Sequence, residues 1–184
     1  MVGVLEQLAE INISGAPFLA AYGVTWIVCG VMWKTTSPIT ASLATLFQGM
    51  FALPIALLIL YGIDAFENRP DTGELDELII IIAMSQLLVL PLLIAMFKKK
   101  HYCLIPFVFS IAGAVHFLMY TWLYQTFSYL IMSLFIAFGL ALIYYLDTKE
   151  DKGMTSSGAS HACLFTGATL LIHAGYLTAL HFLK

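Results

Sequence analysis

Six long apolar runs fill most of this 184-residue chain, at 16–33, 38–62, 78–97, 103–124, 127–146 and 161–183. Each has about the length that a helix needs to cross the hydrocarbon core of a bilayer, roughly 20 residues at 1.5 Å per residue. Only 10% of the residues are charged, against 61% hydrophobic. A water-facing surface normally takes about a quarter of its residues as Asp, Glu, Lys and Arg. A very apolar soluble helical protein would still interleave charges every turn or two. Here they collect between the runs. The expected fold is therefore all-α: one polytopic membrane domain over 1–184, a bundle of six transmembrane helices in a lipid bilayer.

The first fifteen residues lack Lys and Arg and carry Glu6 and Glu10, so they do not read as a cleavable signal peptide. Val4, Leu5, Leu8 and Ile11 share one helical face. Residues 1–15 fit a short interfacial helix, and a frayed terminus is the alternative. Ser37 before Pro38 is a natural N-cap and first-turn pair. Asp71 and Glu74 have capping-box spacing, and Ser160 is placed to cap the sixth span. Pro54 and Pro91 fall inside spans and are expected to bend them. Cys29, Cys103 and Cys163 form no Cys-x-x-Cys pair and read as packing residues.

Lys34, Lys98, Lys99, Lys100, Lys149 and Lys152 fall on one side of a six-span topology, with Arg69 and Lys184 on the other. The positive-inside rule then puts both termini outside the cytoplasm. Nothing resembles a phosphate-cradling glycine loop or a basic, aromatic surface for nucleic acid. No internal repeat is visible.

No span carries Asp, Glu, Lys or Arg at its centre. Ion-coupled transporters, voltage sensors and proton pumps usually bury such groups, so those classes lose support. The polar residues at depth are His, Gln, Tyr, Ser and Thr. Counting from the Lys-rich side puts His116 and His173 roughly 18–20 Å deep, near the middle of the bilayer, with Gln86 in the same layer. His116, Tyr120 and Tyr124 follow at i, i+4 and i+8, and Thr169, His173 and Tyr176 make a second stripe. The functional reading is a central polar-aromatic pocket around His116, His173 and Gln86. The competing reading is inter-helix hydrogen-bonding alone. Phe18, Tyr22 and Trp26 form a third stripe, which fits core packing or a wall of the same pocket. Trp122, Tyr124 and Tyr129 fit an aromatic belt at headgroup level.

Three strings carry a resemblance: Ser14-Gly-Ala-Pro-Phe-Leu-Ala-Ala with Trp26, Gln86-Leu-Leu-Val-Leu-Pro91, and His116-Phe-Leu-x-Tyr120-x-Trp122-Leu-Tyr124 with Tyr129. They resemble the signatures of a family of small bacterial multi-span membrane proteins of unknown function. The departure is Met119, where that pattern has Pro. The resemblance implies a bacterial inner-membrane protein and carries no activity with it.

Three functional classes stay open at this stage. The first is non-enzymatic binding or transport of a small neutral or amphiphilic molecule, with His116, Tyr120, Tyr124, Gln86, His173, Tyr22, Trp26, Thr169 and Tyr176 as candidate ligand-binding residues. The second is an intramembrane enzyme, or a haem- or quinone-binding protein, using His116 and His173. The third is a structural or regulatory subunit, and a homo-oligomer is compatible with any of them. No metal ligand cluster and no catalytic residue can be named from the sequence.

Overall fold

The computed structural model describes residues 2–67, 69–70, 73, 75–147 and 154–183. Among these residues every regular element is helical. In chain order they are α1 (Val2–Ile11), α2 (Ala16–Thr35), α3 (Pro38–Phe47), α4 (Gly49–Gly62), α5 (Leu75–Ser85), α6 (Leu90–Lys98), α7 (Ile105–Leu118), α8 (Tyr120–Leu123), α9 (Ser128–Asp147) and α10 (Ser156–Phe182). They assemble six segments long and apolar enough to cross a membrane: Ile13–Thr35, Pro38–Gly62, Leu75–Lys98, Tyr102–Leu123, Ser128–Asp147 and Ser156–Phe182.

Local chemistry explains most of the boundaries. Ser37 caps α3, its hydroxyl accepting from the Thr40 N–H at 3.2 Å, with Pro38 at the first helical position. The sixth span starts earlier than expected because Thr155, not Ser160, is its cap. Thr155 Oγ1 accepts from the Gly158 N–H at 3.1 Å, while its own N–H and hydroxyl donate to the Asp147 carboxylate at 2.8 and 2.6 Å. Ser160 instead lies inside the bundle and donates to the Gly30 carbonyl at 2.7 Å. The proposed Asp71/Glu74 capping box lies outside the described residues. Replacing Thr155 with Ala should cost about 1 kcal/mol. Hydrogen exchange at the amides of 156–160 should speed up accordingly, and Thr155→Ser should restore the parent rates.

A proline inside a helix disturbs the turn ahead of it, where the ring crowds the chain and a ladder bond is missing. Pro54 lies inside α4, and the interruption of the second span falls further upstream, at Gln48 between α3 and α4. The third span tightens to 3₁₀ geometry over Gln86–Val89, immediately before Pro91.

The first and sixth spans form the centre of the bundle. They run antiparallel, and glycine lets their backbones touch. A Cβ at Gly167 would lie 2.8 Å from the Gly23 carbonyl oxygen and 2.9 Å from the Ile27 nitrogen. Lipid tails are as apolar as leucine side chains, so such association rests on close packing rather than on hydrophobic burial. Around this pair the main core gathers Leu19, Trp26, Trp33, Ile105, Ile136 and Leu170. The third span is peripheral, with 11% of its most apolar window buried against 50% for the first. Leu88, Met50, Phe138 and Ile172 are exposed side chains on the outside of the bundle, as a hydrocarbon solvent permits.

The N-terminal α1 is a helix rather than a frayed end. Leu5 and Leu8 are buried in a small cluster of their own with Leu123, against Leu75, Ile79, Tyr120 and Tyr124. The helix thus lies across the ends of the third and fourth spans.

Candidate functional site

The fourth and sixth spans run parallel, and two polar contacts set their register. Cys103 Sγ lies 3.8 Å from Ser156 Oγ, and Thr166 Oγ1 is 3.0 Å from Ser110 Oγ, separations of 53 and 56 residues along the chain. Carried up the two helices, this register brings His116 to within about a turn of His173. Gly23 faces Gly167 and Leu171, so His173 lies opposite the first turns of α2. The layer therefore sits about one turn, roughly 5–7 Å, from the middle of the first span, toward the end that carries the N-terminus. It is shallower than counting from the lysines gave, because the sixth span begins at Ser156.

His116 is 5% exposed and uses both ring nitrogens. Its Nδ1 is 3.1 Å from Ser85 Oγ, and its Nε2 is 3.0 Å from the Tyr120 hydroxyl. Ser85 gives its own proton to the Ile82 carbonyl at 2.7 Å, so it must accept from the imidazole. The Ile82 carbonyl also lies within reach of the ring. The network assigns the tautomer: Tyr120 O–H donates to Nε2, Nδ1–H donates to Ser85, and Ser85 donates to a main-chain oxygen. That chain of donors ends on a carbonyl. Ser85 is consequently not activated by His116 as a nucleophile would be, since the base must accept the proton and here it donates one.

The interval between the two histidines is filled by rings. Tyr120 meets His116 edge-on, with centroids 5.0 Å apart at 88°. Tyr129 lies 5.7 Å from Tyr120 and 5.0 Å from His173. Tyr124 stacks on both tyrosines, at 5.6 and 5.8 Å. His173 continues to Tyr176 at 5.9 Å. The outcome is an unbroken column of aromatic rings from His116 to Tyr176, drawn from the fourth, fifth and sixth spans. Such ring pairs add roughly 0.5–1.5 kcal/mol each beyond the area they bury.

Tyr129 is the residue that sequence reasoning placed wrongly. It is 1% exposed, not part of a headgroup belt, whereas Trp122 and Phe127 are exposed. Its hydroxyl donates to the Ser14 carbonyl at 2.5 Å. Ser14 sits in an uncommon connector, where Ile13, Ser14 and Gly15 have φ of 48°, 49° and 83°. Left-handed backbone is natural for Gly15, over which Tyr124 and Tyr129 leave no room: a Cβ there would meet each at 2.8 Å. It is costly for Ile13 and Ser14, of order 1–3 kcal/mol each.

The other candidates divide. Tyr22 of the first span and Gln86 of the third-span 3₁₀ turn lie beside each other next to the column. Trp26 is buried in the main core against Phe109, 5.7 Å away, and stands apart from the column. Thr169 donates to the Phe165 carbonyl at 2.9 Å and faces a groove between α9 and α10. This groove, about 340 Å³, has an apolar wall of Ile131, Met132, Phe135 and Ile172, with Ser128, Thr169, His173 and Tyr176 as its polar lining. Ile131, Phe135 and Ile172 are exposed, so it opens sideways, toward lipid. The His173 Nε2 is enclosed and has no hydrogen-bond partner among the described residues.

A bis-histidine haem does not fit these residues. Both nitrogens of His116 are engaged, and tyrosine rings occupy the space where a porphyrin would lie between the imidazoles. Among the described residues there is no group of three or more His, Cys, Asp or Glu placed to hold a metal ion. Ser85, missed by the sequence reading, was visible only as the polar neighbour of Gln86.

Fold and site together define a multi-pass α-helical membrane protein with a histidine–tyrosine column near one end of its spans. The chain belongs to a family of unknown function, DUF7010, which it matches over residues 5–174. That stretch takes in α1 from Leu5 onward, both histidines and all the tyrosines between them, and stops short of Tyr176. Comparison with curated proteins and with solved structures returned no match.

Proposed function

We propose that this protein binds a neutral amphiphilic molecule that enters sideways from the bilayer into the groove between α9 and α10. The observation that carries the reading is a lipid-facing, largely apolar groove whose lining includes His173, with the enclosed Nε2 of that ring unpartnered among the described residues. An unpaired buried nitrogen costs roughly 1–3 kcal/mol, and a ligand toward which the His173 ring turns its Nε2 would recover part of that. Ile131, Met132, Phe135 and Ile172 suit an alkyl or isoprenoid tail. His173 and Tyr176 suit a hydroxyl or carbonyl headgroup rather than a charged one, since the groove has no Asp, Glu, Lys or Arg in its lining. The central pocket of the sequence reading thus moves outward, because tyrosine rings take up the space between the histidines.

The lysine distribution supports an orientation with both termini outside the cytoplasm, and the resemblance carried by the Gln86–Pro91 and His116–Tyr124 strings supports a bacterial inner membrane. Six of the eight Lys and Arg residues then face the cytoplasm. The groove would open in the outer half of that bilayer.

The test uses the full chain in lipid vesicles with a photoactivatable fatty alcohol and a photoactivatable diacylglycerol as probes. Cross-links should concentrate on α9 and α10. Filling the groove with Ile172→Trp, at a position 74% exposed and free of the core, should abolish that preference. His173→Phe should lower it about five-fold, the equivalent of one hydrogen bond. Cross-links spread evenly over every lipid-facing helix, with neither variant changing them, would refute the reading.

A further inference from the structure

Away from the groove, α1 and the three residues that join it to α2 form a second unusual feature. Helix α1 is not part of the main core. Its buried Leu5 and Leu8 belong to a separate cluster with Leu123, packed on Leu75, Ile79, Tyr120 and Tyr124. Its other face, with Glu6, Gln7 and Glu10, is exposed. The connector Ile13–Ser14–Gly15 holds three consecutive residues in the left-handed region, and two of them are not glycine. For a β-branched residue such as Ile13 that conformation is a true outlier, so something must hold it. The side-chain hydrogen bond to this connector is the one from Tyr129 to the Ser14 carbonyl.

We infer that α1 is a hinged lid over the outer end of the tyrosine column, with Ile13–Gly15 as its strained hinge and the Tyr129 hydroxyl as its latch. Two features make the lid bistable rather than fixed. Opening relieves the backbone of Ile13 and Ser14. An opened α1 can also bury Leu5 and Leu8 in the bilayer interface, with Glu6, Gln7 and Glu10 toward water, so its apolar face has a home in either position. Opening uncovers Tyr120, Leu123 and Tyr124 at the ends of the third and fourth spans. The latch residue also touches His173, at 5.0 Å between rings. Movement of that imidazole is therefore transmitted to the hinge through one side chain. The inference does not rest on the groove's binding a ligand.

Leu8→Cys in the full chain, reconstituted in lipid nanodiscs, reports the lid through labelling by a charged maleimide. The parent chain, with Cys29, Cys103 and Cys163 in place, gives the background. Labelling should be slow in the latched protein and about ten-fold faster when Tyr129→Phe is added, because loss of one buried hydrogen bond shifts opening by that order. Hydrogen exchange at the amides of Leu5–Ile11, on the chain with and without Tyr129→Phe, should rise in parallel and needs no cysteine. Equal rates in the folded Tyr129→Phe protein, by both measures, would overturn the lid. If Tyr129→Phe does not fold, Ser14→Gly decides, because it relieves the hinge while leaving the Ile13 side chain on the core. Relieving the hinge should slow labelling and exchange, and unchanged or faster rates would overturn the proposal.

Discussion

Replacing Gly167 with alanine should destabilise the folded bundle by roughly 3 kcal/mol, the upper end for overpacking. The added carbon would stand 2.8 Å from the Gly23 oxygen and 2.9 Å from the Ile27 nitrogen, closer than real contacts come. Both atoms are main chain and cannot swing away. The first and sixth spans must then separate along their length, and the Ser160–Gly30 bond at 2.7 Å lies on the same interface. Gly139 makes a useful contrast. A Cβ there would meet the Phe165 ring at 2.1 Å, nearer still, but a side chain can rotate. Gly175 has nothing within 4 Å, so Gly175→Ala should be neutral or stabilising, by up to about 1 kcal/mol of helix propensity. Thermal unfolding in detergent, followed by loss of the monodisperse species, should rank the variants Gly167→Ala below Gly139→Ala below Gly175→Ala. Equal melting for Gly167→Ala and Gly175→Ala would mean that the two spans do not touch as described.

The spans were legible because hydrocarbon imposes a length and a composition that a reader can count. Ser37 and Pro38 were legible because a cap acts within three residues. The start of the sixth span was not, since Thr155 is chosen over Ser160 by Asp147, a residue at the end of another helix. The histidines' shared level was also readable, from 1.5 Å per residue on parallel helices. What they face was not. Tyr129 follows a short turn and carries an amphipathic ring, so local chemistry places it at the headgroups. Its burial depends on Ser14 and Gly15, which lie 115 and 114 residues away in the chain, and no helical period connects them. Burial did not pair every polar residue either. Gln48 and Ser133 are buried with side-chain atoms unpartnered among the described residues, while Ser85 and His116 found each other. Depth follows from counting, whereas the direction a residue faces depends on how each helix is rotated against its neighbours.

That rotation has its sharpest consequence at His116. The third span is the least embedded of the six, and halfway along it Ser85 bonds to His116 while Gln86 lies beside Tyr22. Exchanging His116 for leucine keeps an apolar side chain of similar size and deletes both of its hydrogen bonds. The Tyr120 hydroxyl is then buried without an acceptor, and Ser85 loses its donor. Inter-helix hydrogen bonds in membranes average about 0.6 kcal/mol, but an orphaned buried hydroxyl costs roughly 1–3 kcal/mol. The expected loss is about 2–3 kcal/mol, concentrated in the third span rather than spread over the bundle. Ser85→Ala should cost less, because its partner keeps Tyr120 and the Ile82 carbonyl nearby. Tyr120→Phe, combined with His116→Leu, should give back part of the loss by removing the orphaned hydroxyl. Hydrogen exchange over Leu75–Lys98 reads this out directly. Protection should collapse there in His116→Leu while Ala16–Thr35 and Ser156–Phe182 keep theirs. The double variant should recover part of the third-span protection. A uniform loss over all six spans would instead make His116 an ordinary core residue, and the clasp between the third and fourth spans would have to be abandoned.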